Sequence, residues 1–271
     1  EEIAKYRAAR RIWARWLKER YGAKDPRSLM LRFHTQTAGV SLTAQQPEVN
    51  IARTAIEALA GVLGGSQSLH TNSMDEALAL PTERAARIAL RTQQVLAHET
   101  GVTHVVDPLG GSYFVESLTD WLEAEAEVMF AHIDAEGDGS MLEGAFRLID
   151  EGWYQGGIAD AAYDFEKKVN AGRRVVVGVS DFTEGNEEDQ LDLLKITSED
   201  ERRQIKRLQQ VKADRNQAAV DESLVALKRA AETDANLMPH LLDSVRTRAT
   251  LGEVVNTLAD VFGRYQERPF I

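Results

Sequence analysis

The amino-acid sequence predicts an α/β fold, with a parallel strand pair near the start and a mainly helical remainder. Two patterns carry that reading. Strand-like, helix-like and strand-like segments follow one another between Leu29 and Asn72, and a crossover of this kind joins parallel neighbours. From about residue 116 onward, nearly every regular segment repeats its apolar residues at helical spacing. With 271 residues, 43% hydrophobic and 28% charged, the chain has a globular profile and length for one large domain or two smaller ones.

Residues 2–20 read as a helix on which Ile3, Tyr6, Trp13 and Leu17 share a face, broken by Gly22, Asp25 and Pro26. Leu29 to Thr37 is the first strand, followed by a loop through Gly39 and Pro47. Ala52, Ile56, Leu59 and Leu63 then recur at helical spacing as far as Gly64 and Gly65. Ser66 to Asn72 is the second strand. Pro81 and Thr82 open a helix running to about Thr100, with Thr82 as N-cap and Ala85, Ile88, Thr92 and Val95 as its inward stripe. After a glycine-rich loop at Gly110 and Gly111 come helices over about 116–136, 140–151 and 156–172. A short apolar strand from Arg174 to Val179, an acidic loop, and two or three helices over about 198–265 complete the chain.

The net charge of −11 is unevenly spread. Residues 1–32 carry ten Lys or Arg against four acids, whereas residues 181–200 carry eight acids against Lys195. Both runs read as solvated surface, the basic one also suiting a phosphate or a partner protein. Overall acidity, with no recognition motif, speaks against nucleic acid as a partner. No run approaches the ~20 apolar residues of a membrane span, so no membrane association is expected. The absence of Cys removes thiolate nucleophiles, cysteine zinc sites and iron–sulfur clusters, and it agrees with a cytoplasmic setting. Glu1 to Arg20 contains no apolar signal core, and Glu1 in first position reads as the start of a trimmed or partial chain.

The composition of the two strands is the most informative feature. Strands buried on both faces are rich in Val, Ile and Leu, yet these read Leu-Met-Leu-Arg-Phe-His-Thr-Gln-Thr and Ser-Gln-Ser-Leu-His-Thr-Asn. Alternation puts Arg32, His34 and Gln36 on one face of the first. In the second it separates Gln67, Leu69 and Thr71 from Ser66, Ser68, His70 and Asn72. Burying such groups unpaired costs about 1–3 kcal/mol each, so they meet one another, water or a ligand. A polar channel at the C-terminal ends of parallel strands fits the whole set, because such folds bind substrates there. Six histidines invite a metal, but H-E-x-x-H and His pairs at four-residue spacing are absent, and no metal site is expected. G-x-S-x-G, the P-loop and the dinucleotide fingerprint are absent too.

Several long runs occur in order: Arg32-Phe-His-Thr-Gln-Thr-Ala-Gly39; Gly64-Gly-Ser-Gln-Ser-Leu-His-Thr-Asn72 with Asp75-Glu-Ala-Leu-Ala-Leu-Pro-Thr82; Asp107-Pro-Leu-Gly-Gly-Ser112; Arg246-Thr-Arg-Ala-Thr-Leu-Gly-Glu253; and the tail Arg264-Tyr-Gln-Glu-Arg-Pro-Phe-Ile271. Together they resemble the substrate-binding subunit of the adenosylcobalamin-dependent acyl-CoA mutases, typified by methylmalonyl-CoA mutase. The resemblance implies a (β/α)8 TIM barrel that threads the pantetheine arm of CoA along its axis, a use that accounts for the polar strands. Residues 1–115 would be the last strands and helices of that barrel, its seventh and eighth strands starting near Leu29 and Ser66. Residues 116–271 would be a mainly helical C-terminal extension contacting the barrel and the cobalamin subunit.

The implied activity is radical carbon-skeleton isomerisation of an acyl-CoA thioester. Methylmalonyl-CoA and succinyl-CoA are the default pair, with isobutyryl-, 2-hydroxyisobutyryl- and ethylmalonyl-CoA as alternatives. Departures from the family pattern at Arg87-Ile-Ala-Leu-Arg-Thr92, His98 and His104 leave the acyl group open. The cobalamin signature D-x-H-x-x-G is absent, so the lower axial ligand of adenosylcobalamin is expected from a small partner subunit in an oligomer. The upstream strands lie outside this sequence, and the segment alone is expected to be inactive. By the same resemblance Gln67 faces substrate, His34, Gln36 and His70 line the channel, and His98 approaches it from the following helix. Asp107 would hold the adenosyl ribose hydroxyls, with Gly110 and Gly111 letting the loop approach the corrin. The rival from another class is a non-catalytic half barrel that pairs with a separate chain and docks partners.

Overall fold

A computed structural model describes residues 1–183 and 192–266; the middle of the acidic run and the last five residues of the tail lie outside them. Two compact units are present, the first reaching Leu194 and the second beginning at Lys195. The first contains α1 (Glu2–Glu19), β1 (His34–Gln36), α2 (Val49–Leu63), β2 (Ser68–His70), α3 (Glu83–Glu99), α4 (Tyr113–Glu136), α5 (Met141–Glu151) and α6 (Trp153–Asn170). Helices α4 to α6 therefore belong with the strands, and the division between units falls well beyond residue 115.

The strands are parallel, with His34, Thr35 and Gln36 opposite Ser68, Leu69 and His70. The Gln67 N–H donates to the Phe33 carbonyl at 3.1 Å and the Thr37 N–H to the His70 carbonyl at 3.2 Å, extending the ladder at both ends. Both strands are shorter than predicted. Leu29 closes a 3-10 turn begun by Pro26 and capped by the Asp25 carboxylate, and the Ser66 N–H turns back to the Gly61 carbonyl. Helix α2 lies close on the ladder: a Cβ at Gly61 would sit 2.8 Å from the Thr35 methyl. The Thr82 hydroxyl caps α3 by accepting from the Ala85 N–H at 3.2 Å. The buried stripe of α3 is Ala85, Ala89 and Leu96, whereas Val95 is 45% exposed. At 3.6 residues per turn Val95 lies roughly 80° round the helix from Ala85, outside the stripe.

The basic first helix has its partners inside the chain. Arg7 donates to Asp107 and Glu116, Arg11 and Arg15 share Glu123, Arg15 also reaches Glu127, and Arg20 pairs with Asp134. Their spacing puts one arginine per turn or so along the face of α1 that meets α4. Four arginines expected at a solvated or phosphate-binding surface thus clamp two helices together. The Gly111 N–H and then Arg7 hold the Glu116 carboxyl below its ordinary range, and Arg20 does the same for Asp134. The predicted strand at Arg174–Val179 is instead a turn. The Val179 N–H and Ser180 N–H both return to the Val176 carbonyl, leaving a single bridge between Val177 and Asp181.

The second unit holds four helices among the described residues, one or two more than the sequence suggests: α7 (Ser198–Asp214), α8 (Gln217–Ala231), α9 (Met238–Arg246) and α10 (Leu251–Phe262). Asn216 caps α8, Pro239 opens α9 and Thr250 caps α10, so short polar breaks end what reads as continuous helix. Val220 and Leu227 of α8 are fully buried. Glu253 completes a capping box with Thr250 and also takes both terminal nitrogens of Arg215, at 2.6 and 2.8 Å.

Gly61→Val is expected to cost roughly 1–3 kcal/mol in urea unfolding by forcing α2 off the ladder. Gly157→Ala, in helical backbone with open space around it, is expected to gain about 0.5–1 kcal/mol. Arg215, followed by the Thr250 hydrogen bonds, lowers the Glu253 carboxyl from its ordinary 4.5 to about 2. A carboxylate depressed on folding adds stability above its unfolded pKa and loses it as pH falls through the folded value. Stability of the second unit should therefore decline between about pH 4.5 and about 2, and Glu253→Gln should flatten that part of a thermal-melt profile against pH.

Candidate functional site

The two faces of the ladder differ sharply. On the helix side Thr35, Thr37 and Thr71 are buried. The Thr71 hydroxyl donates to the Ala89 carbonyl at 2.7 Å, and the Gln93 amide donates to Thr71 and to the Leu69 carbonyl at 3.1 and 3.0 Å. The Thr37 hydroxyl oxygen accepts from the Asn72 N–H at 3.0 Å. Thr71 and Gln93 thus hold α3 to the strands and Thr37 braces the adjoining strand backbone, whereas the Thr35 hydroxyl is buried with no partner among the described residues. On the other side His34, Gln36, Ser68 and His70 stand exposed in two adjacent rungs. His34 Nδ1 lies 2.7 Å from the Ser68 hydroxyl, whereas neither Gln36 nor His70 has a side-chain hydrogen bond to any described residue.

At the C-terminal ends of the strands, the buried amide of Asn50 fastens the two departing loops together. It donates to the carbonyls of Thr43 and Met74 at 2.8 and 3.0 Å and accepts from the Thr43 N–H at 3.1 Å. Beside them Asn72 is only 2% exposed, and neither atom of its side-chain amide has a partner among the described residues. Gly39 approaches the same spot: a Cβ there would sit 2.7 Å from Glu76 Oε1 and 3.5 Å from Asn72 Nδ2. Buried amides are normally satisfied. A glycine cradle beside an unpaired buried amide is an arrangement that a ligand with hydrogen-bonding groups completes.

The remaining sequence-predicted residues lie elsewhere. Helix α2 leaves the C-terminal end of β1 and delivers Leu63 and Gly65 to the start of β2, so those residues mark the N-terminal ends. Gln67 is there, on the side of the ladder opposite His70. Its amide is engaged with backbone, accepting from the Phe33 N–H at 2.8 Å and donating to the Gly65 carbonyl at 2.9 Å. His98 is exposed on the last turn of α3. The loop with Asp107, Gly110 and Gly111 returns beside Leu63 and Gly65, around a cavity of about 180 Å³ shared with Arg10, Val102 and Val106. Asp107 has φ +50° and its carboxylate is taken by Arg7. The structure thus brings together His34, Gln36 and His70 and sets Gln67, His98 and the Asp107 loop apart from them. Ser68, Asn72 and Glu76 are the additions. The alternation pattern places Ser68 and Asn72 on the right side, but burial of Asn72 and the approach of Gly39 need the folded loops. No three His, Asp or Glu among the described residues are grouped to hold a metal ion, and no described helix is long and apolar enough to cross a membrane.

A parallel strand pair joined by a crossover helix, with one polar open face and an unpaired buried amide at the C-terminal ends, defines part of an α/β domain. Comparison with known sequences gives the family: residues 1–264 match the methylmalonyl-CoA mutase family model, and the chain belongs to that family. It is 44% identical to the 2-hydroxyisobutanoyl-CoA mutase large subunit of Aquincola tertiaricarbonis, over 99% of this chain and 47% of that protein. It is 43% identical to a methylmalonyl-CoA mutase of Escherichia coli, over 97% and 36%, and 42% identical to the human mitochondrial methylmalonyl-CoA mutase, over 98% and 35%. The chain therefore spans less than half the length of these relatives.

Asn72→Leu removes two unsatisfied polar atoms at similar volume. Urea unfolding of the free protein is expected to show stability unchanged within about 1 kcal/mol or raised; a loss well beyond that would mean Asn72 is a structural amide.

Proposed function

We propose that this chain is the C-terminal part of the substrate-binding subunit of an acyl-CoA mutase, which moves an acyl-CoA thioester group between neighbouring carbons of a short branched chain. The observation that carries the reading is the open rung of Gln36 and His70, two hydrogen-bonding side chains adjacent on the exposed face of parallel strands. Family membership supports it. Methylmalonyl-CoA with succinyl-CoA is the first substrate pair. 2-Hydroxyisobutyryl-CoA is the second reading, favoured by the relative of that name, which this chain matches at 44% identity.

In this proposal residues 1–115 supply the last two strands and flanking helices of a TIM barrel, and the helices beyond them support it and meet a partner. The cofactor is adenosylcobalamin, which when bound supplies a cobalt–carbon bond that breaks homolytically. Asn72 and Glu76, beside Gly39, fit a group with hydroxyl or amide functions at the C-terminal ends and would hold its polar edge. The Asp107 loop is not given that role, since it lies at the other end of the strands and its carboxylate is taken. Gln36 and His70 would orient the thioester or pantetheine amides by hydrogen bonds. The buried threonine seam and α3 behind them keep water from the helix side. The lower axial ligand would come from a small subunit, a division to which the name of the Aquincola relative as a large subunit lends support. The assembly is placed in the cytoplasm.

The test is a mutase assay on the full-length subunit reconstituted with a cobalamin-binding subunit and adenosylcobalamin. Carbon-skeleton rearrangement of a short branched acyl-CoA is expected, and its absence with every such substrate would overturn the proposal in favour of a docking module. Gln36→Ala should lower turnover by roughly tenfold to a hundredfold, the loss of about 1–3 kcal/mol for one partner of a buried hydrogen bond. Unchanged turnover would remove Gln36 from the site.

A further inference from the structure

The two rungs of the open face are chemically unlike. Gln36 and His70 are free, but His34 is tied across the ladder, its Nδ1 2.7 Å from the Ser68 hydroxyl. A serine hydroxyl has one proton to give, and among the described residues the one hydrogen-bonding group within reach of the Ser68 hydroxyl is this ring nitrogen. A neighbouring hydroxyl, that of Ser66, is occupied in donating to the Ser68 carbonyl at 2.6 Å, which holds the strand backbone beneath the pair. An imidazole whose Nδ1 accepts a hydrogen bond carries its proton on Nε2, and the partner of one nitrogen decides what the other offers.

We infer that Ser68 is a positioning residue: facing His34 in register, it donates to Nδ1 and fixes the neutral ring with an Nε2–H donor presented on the open face beside Gln36. The inference rests on the acyl-CoA reading above for the identity of the acceptor, a carbonyl oxygen of the thioester or of a pantetheine amide. For such an acceptor a neutral N–H of fixed direction is the useful form, since it polarises the carbonyl and transfers no proton. The charged and titratable neighbours on the open face are Arg32, two residues earlier on the same strand by alternation, and His70 on the adjoining strand; neither is hydrogen-bonded to the ring.

Nitrogen-15 NMR of the full-length protein labelled at histidine tests this directly, at a pH where the rings are neutral and with His34→Gln to assign the signal. The expected result is a His34 ring protonated on Nε2, with its Nδ1 resonance displaced as for a nitrogen that accepts a hydrogen bond. Ser68→Thr should keep both features. Ser68→Ala should return Nδ1 to the position of an unbonded imidazole nitrogen and let the tautomers relax to the mixture of free histidine. A ring protonated on Nδ1 in the unsubstituted protein, or an Nδ1 resonance that Ser68→Ala leaves in place, would overturn the inference. If Ser68→Ala does not fold, the unsubstituted protein and Ser68→Thr still decide the tautomer. No substrate or cofactor enters these spectra, so a failed mutase assay would remove the proposed function and leave the Ser68–His34 assignment standing, and the reverse also holds.

Discussion

The short parallel ladder between β1 and β2 is the constraint from which the rest of the first unit follows. Its backbone bonds run from the Phe33 carbonyl to the Thr37 N–H, and once they fix the register, alternation leaves each side chain only one face to occupy. The helix face is unusual in closing with threonines rather than branched aliphatics. It is sealed by directed hydrogen bonds from Gln93 of α3, and by the close approach of α2 at Gly61. Sliding α3 along this seam would leave the Thr71 hydroxyl and the Gln93 amide buried and unpaired. The open face inherits that rigidity.

The ends of the strands have separate duties. At the C-terminal ends Asn50 ties two loops together and leaves Asn72 and Glu76 around Gly39 with capacity to spare. At the N-terminal ends Gln67 is committed to backbone, Asp107 to Arg7, and Glu116 to Arg7 and to the Gly111 N–H, whereas Arg10 beside Gly65 keeps a buried Nε with no partner among the described residues. The arginines of α1 extend this closed end along α4. Function is thus proposed at the C-terminal ends, where the Asn72 amide is unpaired, and the clamp of α1 on α4 is built from the other.

Much of this was legible in the sequence. The parallel pairing, the cap at Thr82, the helices on either side and the membership of the family follow from periodicity, turn residues and long ordered motifs. Alternation puts His34 and Gln36 on one face of the first strand, and the register of the folded ladder adds His70 beside them. Gln67 and Asp107 were not legible, because a motif residue looks the same whether its polar atoms meet a ligand or a neighbouring backbone. The clamp between α1 and α4 was hidden for a related reason: its partners lie about a hundred residues apart, and local charge counting sees only a basic run. The turn at Val176–Ser180 and the split of the last helices depend on a few local hydrogen bonds and on Pro239, which propensity does not resolve.

The central claim is that the open face of the ladder receives an acyl-CoA. Chemical modification of histidines by diethylpyrocarbonate, read by mass spectrometry on the assembled full-length protein with and without acyl-CoA, tests it most directly. His34 and His70 should be protected by the acyl-CoA, while His98, His104 and His132 react at the same rate in both samples. Equal modification of His34 and His70 with and without ligand, under conditions where the acyl-CoA is bound, would contradict the account.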